Sequence, residues 1–416
     1  EIDPTAAYDF LTYHYIPTPK TLFKKIRKLP PASKVVFDVE KRRLGGVASY
    51  WNLADVFSKP FSGSVDEACS EISRLIDESV KMQMVADVPL GFFLSGGIDS
   101  SIVVSSATRA HKAVETFTVG FESHQDSETQ YSRIVAEACN TSHHESILTR
   151  DSYEQSLQLL KEWFDEPFGD TSAFPTYLVS RVAKEKVTVA LSGDGGDEIF
   201  AGYERYGLYP WLNPIRRLQM RRLGALLDQL KGRVPARSVP RRALNLLSVV
   251  GDDPLALYTR LMSGMTKAEK SAYAEYFGIE ADYDDYWYFR KHWREELPTL
   301  TRLQYLDFHT YLPDDILTKV DRVSMANSLE VRVPLLCQRI AEFSFSLPES
   351  IRAPGGKPKG LLKRAFARRL PRRIIARSKK GFSVPADYKD HPYRRIQEVL
   401  LSNVFGIGPH GDDKVK

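Results

Sequence analysis

The fold is decided by one stretch, Val88-Pro89-Leu90-Gly91-Phe92-Phe93-Leu94-Ser95-Gly96-Gly97-Ile98-Asp99-Ser100-Ser101. Its apolar first half predicts a short buried strand, and a helix is predicted from about Asp99. The glycines between them let backbone N–H groups approach an anion, and the helix N-terminus adds partial positive charge. The turn therefore suits a phosphate or pyrophosphate, and Asp99 implies a bridging divalent cation. The plainer alternative is a tight strand–helix connection, since neither GxxxxGK[ST] nor GxGxxG occurs here.

A second glycine-rich turn follows another apolar run and reads Leu191-Ser192-Gly193-Asp194-Gly195-Gly196-Asp197-Glu198. Its clustered carboxylates would repel one another and raise their own pKa values unless a cation lay among them. A magnesium ion shared with a nucleotide resolves that repulsion, and one carboxylate could serve as a general base. The alternative is a solvent-exposed acidic turn.

Strand and helix patterns alternate around these two turns. Strands are predicted at about 88–94, 114–121, 144–148 and 187–191, and helices at 65–84, from 99, and at 129–139, 152–163 and 175–184. Continuous apolar strands separated by helices predict a parallel sheet covered on both faces, which is an α/β fold. Ligands of such sheets bind at the carboxyl ends of the strands, where both turns lie. Beyond Tyr203 the patterns are mostly helical, and no further strand is predicted.

Composition and charge limit the class of protein. The 416 residues are 43% hydrophobic and 27% charged, as in ordinary globular chains. No apolar run approaches the ~20 residues of a membrane-spanning helix. Three scattered cysteines without a CxxC pair predict neither a disulfide framework nor a zinc site, so a cytoplasmic location is expected.

Basic residues are more clustered than the small net charge of +5 suggests. That charge does not by itself predict nucleic-acid binding. The clusters lie at about 216–242 and 363–380. They are interpreted either as solvated helix faces or, for part of the second cluster, as a surface that faces a polyphosphate.

Three further motifs accompany the first turn in the order of a known family: Phe117–Phe121, Ser192–Tyr203 and Ser324–Pro334. Together they resemble the synthetase domain of glutamine-dependent asparagine synthetases of the B type, whose relatives include the β-lactam synthetases. The resemblance covers roughly residues 65–400. It implies an adenine-nucleotide alpha-hydrolase-like (ATP pyrophosphatase) core at 65–203 and a mostly helical remainder at 204–400. Residues 1–57 resemble a remnant of the family's glutaminase domain with a linker, and 401–416 are expected to be a frayed tail.

The resemblance also implies roles for individual residues. The positions matching ATP contacts are Leu94, Ser95, Gly96, Gly97, Asp99, Ser100, Ser101, Val119, Ser192 and Gly193. Asp99 and Asp197 match magnesium ligands, and the catalytic positions are Asp194, Glu330 and Lys379. A lysine can neutralise charge on a pentacoordinate phosphorus and on leaving pyrophosphate, although Lys379 could instead be a surface lysine of a basic helix. Asp194 stands where β-lactam synthetases have Tyr, which favours asparagine formation with Asp194 helping to deprotonate ammonia.

The implied reaction converts aspartate to asparagine through β-aspartyl-AMP, with ATP as substrate and Mg²⁺ as cofactor. Ammonia is the nitrogen donor, supplied from glutamine where a glutaminase domain is present. The family's glutaminase nucleophile is an N-terminal cysteine, whereas this chain begins at Glu1, so the chain is expected to use free ammonia. A second departure is Cys337, which stands where the family usually has Asp and could weaken catalysis or mark a specialised relative.

Three other functions stay open. The first is another ATP-dependent amidotransferase or lactam-forming ligase of the same fold that acts on a different carboxylate. The others are an RNA-modifying ATP pyrophosphatase and a nucleotide-binding pseudoenzyme. The Glu-x-Arg-Val-Pro block argues against the RNA-modifying enzyme, and the intact first turn argues against the pseudoenzyme. Neither a nucleic-acid partner nor a membrane is therefore expected, and a homodimer is compatible with the resemblance.

Overall fold

A computed structural model describes residues 1–111, 113–122, 129–149, 162–217, 253–262, 264–265, 267, 270–379 and 381. The chain enters through helix α1 (Pro4–Tyr13), which begins at Asp3, whose side chain accepts hydrogen bonds from Thr5 N and Ala6 N. Two small antiparallel pairs follow: β1 (Ser33–Lys34) with β4 (Ala48–Ser49), and β2 (Phe37–Asp38) with β3 (Arg43–Leu44).

The central sheet has five strands, all parallel to their neighbours. They are β5 (Leu90–Phe93), β6 (Glu115–Phe121), β7 (Ser142–Leu148), β8 (Val189–Leu191) and β9 (Glu330–Arg332). Their spatial order is β7-β6-β5-β8-β9. The chain therefore builds outward from β5 in one direction, then returns to place β8 on its other side. Such a reversal leaves a crevice at the carboxyl ends of the two central strands. The predicted α/β parallel sheet is confirmed.

Helices cover the sheet and form a second, helical layer. Those before β9 are α2 (Val65–Gln83), α3 (Ile98–Ala110), α4 (Thr129–Cys139), α5 (Ala173–Lys184), α6 (Gly196–Ile199), α7 (Glu204–Arg217), α8 (Pro254–Leu261), α9 (Ser271–Phe277), α10 (Trp287–His292), α11 (Thr299–His309) and α12 (Thr318–Met325). After β9 come α13 (Gln338–Ser346), α14 (Glu349–Arg352), α15 (Gly360–Ala365) and α16 (Arg372–Ile375). Short 3₁₀ segments span Leu53–Ser58, Pro334–Leu336 and Pro354–Gly356, and a π-helical turn spans Leu312–Leu317.

The sequence patterns predicted some of these elements correctly and missed others. The helix predicted at 65–84 is α2, which begins with a capping box between Ser64 and Glu67. The expectation that no strand follows Tyr203 is wrong, because β9 pairs with β8 over three residues. A three-residue strand is too short to show a period and forms through its neighbour. The predicted helix at 152–163 falls outside the described residues except at its end, and the predicted tail at 401–416 lies wholly outside them.

The N-terminal helix packs into the main hydrophobic core. Its residues Ala6, Ala7, Phe10 and Leu11 are fully buried. The ring of Tyr13 lies 4.8 Å from that of Phe289, nearly perpendicular to it. A segment too short for its own core is thus buried by the helical layer. No helix of the described ranges is long and apolar enough to cross a membrane.

Candidate active site

A cavity of about 640 Å³ opens at the carboxyl ends of β5, β6 and β8. Most of the residues selected from the sequence line it. They are Leu94, Ser95, Gly97, Asp99, Ser100, Val119, Ser192, Gly193, Asp194, Asp197 and Lys379. Leu94 and Val119 are almost fully buried and form an apolar part of the wall. The structure therefore brings together residues from two turns and from a segment 182 positions beyond Asp197.

The first turn is shaped by Gly96 and Ser101, which do not line the cavity themselves. Gly96 has a φ of +67°, and a Cβ there would lie 2.5 Å from the backbone nitrogen of Ser132, so only glycine fits. The Ser101 hydroxyl donates to the Gly97 carbonyl at 2.6 Å and is directed into the turn. Ser95 and Ser100 remain at the cavity wall, with their hydroxyl oxygens 3.1 Å apart.

The second turn lies directly against the first, as neighbouring parallel strands require. A Cβ at Gly193 would come within 2.6 Å of the Ser100 backbone nitrogen. Gly195 adopts a φ of +82° and begins the short helix α6, which carries Asp197. The Ser192 hydroxyl donates to the Asp194 carboxylate at 2.8 Å and fixes its orientation.

A buried lysine joins the carboxylates of the two turns. The Lys359 ammonium contacts the Asp99 carboxylate and lies 2.6 Å from Asp197 Oδ1. Lys379 reaches the same Asp197 side chain, with Nζ 2.5 Å from Oδ2. Gly202 leaves the space for the contact between Lys359 and Asp197, because a Cβ at position 202 would overlap Asp197 Oδ1. We call these four side chains, Asp99, Asp197, Lys359 and Lys379, the phosphate-end cluster.

The charges in this cluster lie close enough to shift one another's pKa values. Burial raises the pKa of Asp99, and the nearby Lys359 ammonium only partly opposes that shift. Burial also acts to raise the pKa of Asp197, but Lys359 and Lys379 together hold it well below its usual range. Burial acts to lower the pKa of Lys359, yet the two aspartates raise it overall. Asp197 is therefore an anion and Lys359 a cation at neutral pH.

The two aspartates fit a divalent cation. Among the described residues, Asp99 Oδ1 is buried without a hydrogen-bond partner, and both carboxylates converge on one positive charge. No cluster of three potential metal ligands occurs in the described ranges. Mg²⁺ commonly takes only one or two carboxylates and completes its shell with water and substrate phosphate, so two aspartates are enough.

Lys359 is the main residue that sequence reasoning missed. It lies in the left-handed conformation just before α15, within a segment containing several other basic residues. The available signal was indirect, since two buried carboxylates need a counter-charge. Part of the second basic cluster does face the cavity, because Lys363, Arg377 and Lys379 line it. Arg377 also donates to the Ser95 carbonyl at 3.3 Å.

Of the three catalytic candidates, Glu330 is the one that the structure does not bring to the cavity. It stands opposite Val189 at the amino end of β8, whereas the cavity lies beyond Leu191 at the other end. Its side chain is 55% exposed and pairs with Arg332 Nε at 2.6 Å. The guanidinium of Arg332 in turn donates to the carbonyls of Gln83 and Val85.

Cys337 lies away from the cavity and begins helix α13. It occupies the N-cap position, and within the described residues its thiol accepts no capping hydrogen bond. The neighbouring Leu336 packs against Gly195 of the second turn. Cys337 in place of the family's aspartate therefore alters the start of a helix and not the lining of the cavity.

Comparison with known proteins gives a consistent result. The sequence model of the asparagine synthase family matches residues 71–404. The chain is 32% identical over 388 residues to a Bacillus subtilis protein named asparagine synthetase [glutamine-hydrolyzing] 1, covering 92% of this chain and 60% of that protein. It is 30% identical over 400 residues to a putative asparagine synthetase [glutamine-hydrolyzing] of Mycobacterium tuberculosis, covering 92% of this chain and 58% of that protein.

A Methanocaldococcus jannaschii protein, putative asparagine synthetase [glutamine-hydrolyzing] 2, is 37% identical over 239 residues, which are 57% of this chain and 44% of that protein. The chain thus spans 60% or less of the length of these relatives.

Proposed function

This chain belongs to the asparagine synthase family, and from that membership we propose that it uses ATP to convert aspartate to asparagine. The family's fold is the adenine-nucleotide alpha-hydrolase-like fold that the resemblance implied. One observation carries the proposal. Two lysines and two aspartates meet where two glycine-rich turns adjoin, a geometry suited to holding and releasing pyrophosphate.

In the first step, a β-carboxylate oxygen of aspartate attacks the α-phosphorus of ATP, and the bond from that phosphorus to pyrophosphate breaks. The products are β-aspartyl-AMP and pyrophosphate. Negative charge grows on the equatorial and leaving oxygens, where Lys359 and Lys379 act as positioned cations. The first turn supplies backbone N–H groups and the hydroxyls of Ser95 and Ser100 to the same phosphates.

In the second step, ammonia attacks the activated acyl carbon, and the carbon–oxygen bond to AMP breaks. AMP leaves with the bonding electron pair, and the nitrogen loses a proton. Asp194 is our candidate for accepting that proton, since it lines the cavity and Ser192 holds its carboxylate. Activation is needed because a free carboxylate is a poor acceptor for an amine.

The other parts of the cavity have supporting roles. Leu94 and Val119 offer an apolar wall to the adenine ring. Asp99 and Asp197 would hold Mg²⁺, which supplies further charge neutralisation to the bound polyphosphate. The domain organisation we propose is a synthetase domain over roughly 65–400, preceded by the last part of a glutaminase domain. We assign Glu330 no step in this mechanism, because its side chain lies at the other end of the sheet.

The proposal is tested by measuring pyrophosphate release from ATP with ammonium and each of a panel of amino acids and dicarboxylates. We expect release that depends on aspartate, with AMP and asparagine formed in equal amounts. Release with a different carboxylate would favour the related amidotransferase or lactam-forming ligase. Release that requires tRNA would favour an RNA-modifying enzyme, and ATP binding without any turnover would favour a pseudoenzyme.

A further inference from the structure

The cavity extends beyond the phosphate-end cluster to a second buried cation. Lys319, on helix α12, lines the cavity together with Asp170 and Ser172, which precede helix α5. Lys319 is only 4% exposed. It does not contact Asp99 or Asp197, whose lysine partners are Lys359 and Lys379. The mechanism proposed above uses none of these three residues.

Lys319 is held in place but keeps hydrogen-bonding capacity. Its ammonium lies 3.2 Å from Asp170 Oδ2 and donates to the Ser172 hydroxyl at 2.7 Å. Ser172 is itself fixed, because its backbone N–H and its hydroxyl both donate to Asp170. A lysine ammonium has three N–H donors. These two contacts, the ones recorded within the described part of the chain, therefore leave one donor for a ligand in the cavity.

The cation keeps its charge although it is buried. Burial acts to lower the pKa of Lys319, but Asp170, Asp194 and Asp315 raise it overall. Asp315 adds little negative charge, since burial and the neighbouring Asp170 raise the pKa of its carboxyl well above the usual range. Asp194, which belongs to the second turn, lines the same cavity as Lys319, so this wall belongs to the cavity of the proposed acyl transfer.

A buried, positioned ammonium that keeps one donor for the cavity suits a substrate with a second negative group. The substrate carboxylate that is activated must lie near the phosphate-end cluster. The other carboxylate of a four-carbon dicarboxylate then needs its own counter-charge in a site largely closed to water. A charge-assisted hydrogen bond from a fixed ammonium supplies that counter-charge and its geometry.

We propose that Lys319, positioned by Asp170 and Ser172, binds the α-carboxylate of the amino-acid substrate and so selects a dicarboxylate. This inference rests on the proposed function, because it names the recognition element of the same reaction. It predicts a specific dependence on substrate structure. β-Alanine is aspartate without the α-carboxylate, and succinate is aspartate without the α-ammonium group.

The test compares Lys319→Gln with the unaltered chain, using kcat/KM for pyrophosphate release with aspartate, succinate and β-alanine. Losing one charge-assisted hydrogen bond typically costs about 10- to 100-fold. We expect that loss with aspartate and with succinate, and a change of less than about threefold with β-alanine. The KM for ATP should stay within about threefold, since the phosphate-end cluster is intact. Arg322→Gln is the matched control, because Arg322 lies on the same helix as Lys319 and the substitution breaks an exposed ion pair with Asp165.

A structural role for Lys319 would give a different result. The variant's kcat/KM would then fall equally for aspartate and for β-alanine, and the proposal would be overturned. Lys319→Gln leaves Asp170 buried and unpaired, which can prevent folding. In that case the double variant Lys319→Gln with Asp170→Asn removes both charges, and its ratio of kcat/KM with aspartate to kcat/KM with β-alanine gives the answer. The proposed function is tested separately by the unaltered chain. Absence of carboxylate-dependent pyrophosphate release there would reject the function itself, whereas an unchanged aspartate to β-alanine ratio in the variant rejects only the role of Lys319.

Discussion

The two ends of the cavity are constructed in different ways. The phosphate end is formed by turns that follow β5 and β8, two strands that lie side by side. Its backbone is fixed by the sheet, and its glycines are required where the turns touch. The other end, at Asp170 and Lys319, is formed by side chains 149 residues apart, from a loop and a helix. We call it the carboxylate end.

This difference explains what each end can do. A turn at a strand end presents N–H groups whose positions depend little on side chains, which suits the phosphate group that any ATP-using relative must bind. An ion pair between a loop and a helix can change with few substitutions and leave the sheet unaltered, which suits selection of the acceptor. The predictions below test whether the two ends are as separable as this comparison implies.

The largest effect is expected from Lys359→Met, at the phosphate end. The substitution leaves Asp99 and Asp197 buried with one lysine fewer between them. Breaking a buried ion pair from one side typically costs about 3–5 kcal/mol in the free energy of unfolding. Loss of a positioned cation should also reduce pyrophosphate release by at least about 10²–10³-fold. Urea titration and a pyrophosphate assay measure the two effects.

Lys357→Met is the matched control, since Lys357 is exposed and only two residues away. It should change both quantities little, by about 0.5 kcal/mol or less in unfolding free energy. If Lys359→Met were as active and stable as this control, the claim that the phosphate-end cluster supports pyrophosphate release would be wrong.

Lys379→Ala should separate chemistry from binding. Lys379 is less buried than Lys359, with 29% of its side chain exposed, so its loss should affect stability less. Charge on the phosphorus grows in the transition state, and an interaction that strengthens there is seen in kcat. We expect kcat to fall about 10²–10³-fold, or roughly 3–4 kcal/mol, with a smaller change in the KM for ATP.

Arg373→Ala, at an exposed position of the same basic segment, serves as the control for Lys379. Equal losses in both variants would mean that the segment acts through its total charge. A raised KM with unchanged kcat would make Lys379 an anchor for ATP rather than a participant in the chemistry.

Acid should lower the free energy of unfolding through His309, which lies in the helical layer that also contains Lys319. The ring of His309 donates from Nδ1 to the Tyr305 carbonyl at 2.8 Å. Burial lowers the pKa of His309 to about 4, against a smaller opposing effect of that hydrogen bond. In the unfolded chain His309 has an ordinary pKa of about 6.5, so it is protonated there at a higher pH than in the folded protein. Stability contributed by neutral His309 is thus present above that pH and is lost progressively towards pH 4.

The expected loss is about 1.5 kcal/mol between pH 6.5 and pH 5 from this one residue. Urea titrations of the unaltered chain and of His309→Gln at both pH values measure it, and the variant should lose correspondingly less. His292, stacked 5.3 Å from His309, has its own pKa lowered to about 3 by burial and by His309, so some acid sensitivity should remain in the variant. Identical pH dependence in the two proteins would contradict the assignment.

The smallest effect is expected from Cys337→Asp. Cys337 stands at the N-cap of α13, where an aspartate can accept a hydrogen bond from the first turn and interact with the helix dipole. The free energy of unfolding should rise by about 1 kcal/mol. Activity should be unchanged, because the residue lies outside both ends of the cavity. A large gain in pyrophosphate release would instead indicate that the family's aspartate acts on the chemistry.

The same comparison explains how far the sequence could be interpreted. Both glycine-rich turns, and the strands before them, were predictable because local geometry requires glycine and a strand end in one stretch. Lys359 was not, since its significance depends on two carboxylates more than 150 residues away. Lys319 and Asp170 carry no local pattern at all. Strand β9 was missed for a related reason, as three residues form a strand only through the neighbouring β8.

The central claim is that this cavity joins a substrate carboxylate to the α-phosphorus of ATP. It is tested most directly with aspartate carrying ¹⁸O in its β-carboxylate, incubated with ATP, Mg²⁺ and ammonium. The AMP formed is then analysed by mass spectrometry. Because the attacking oxygen stays on phosphorus when ammonia breaks the carbon–oxygen bond, we predict one ¹⁸O atom in each AMP. Unlabelled AMP, or ADP and phosphate as the products, would contradict the account.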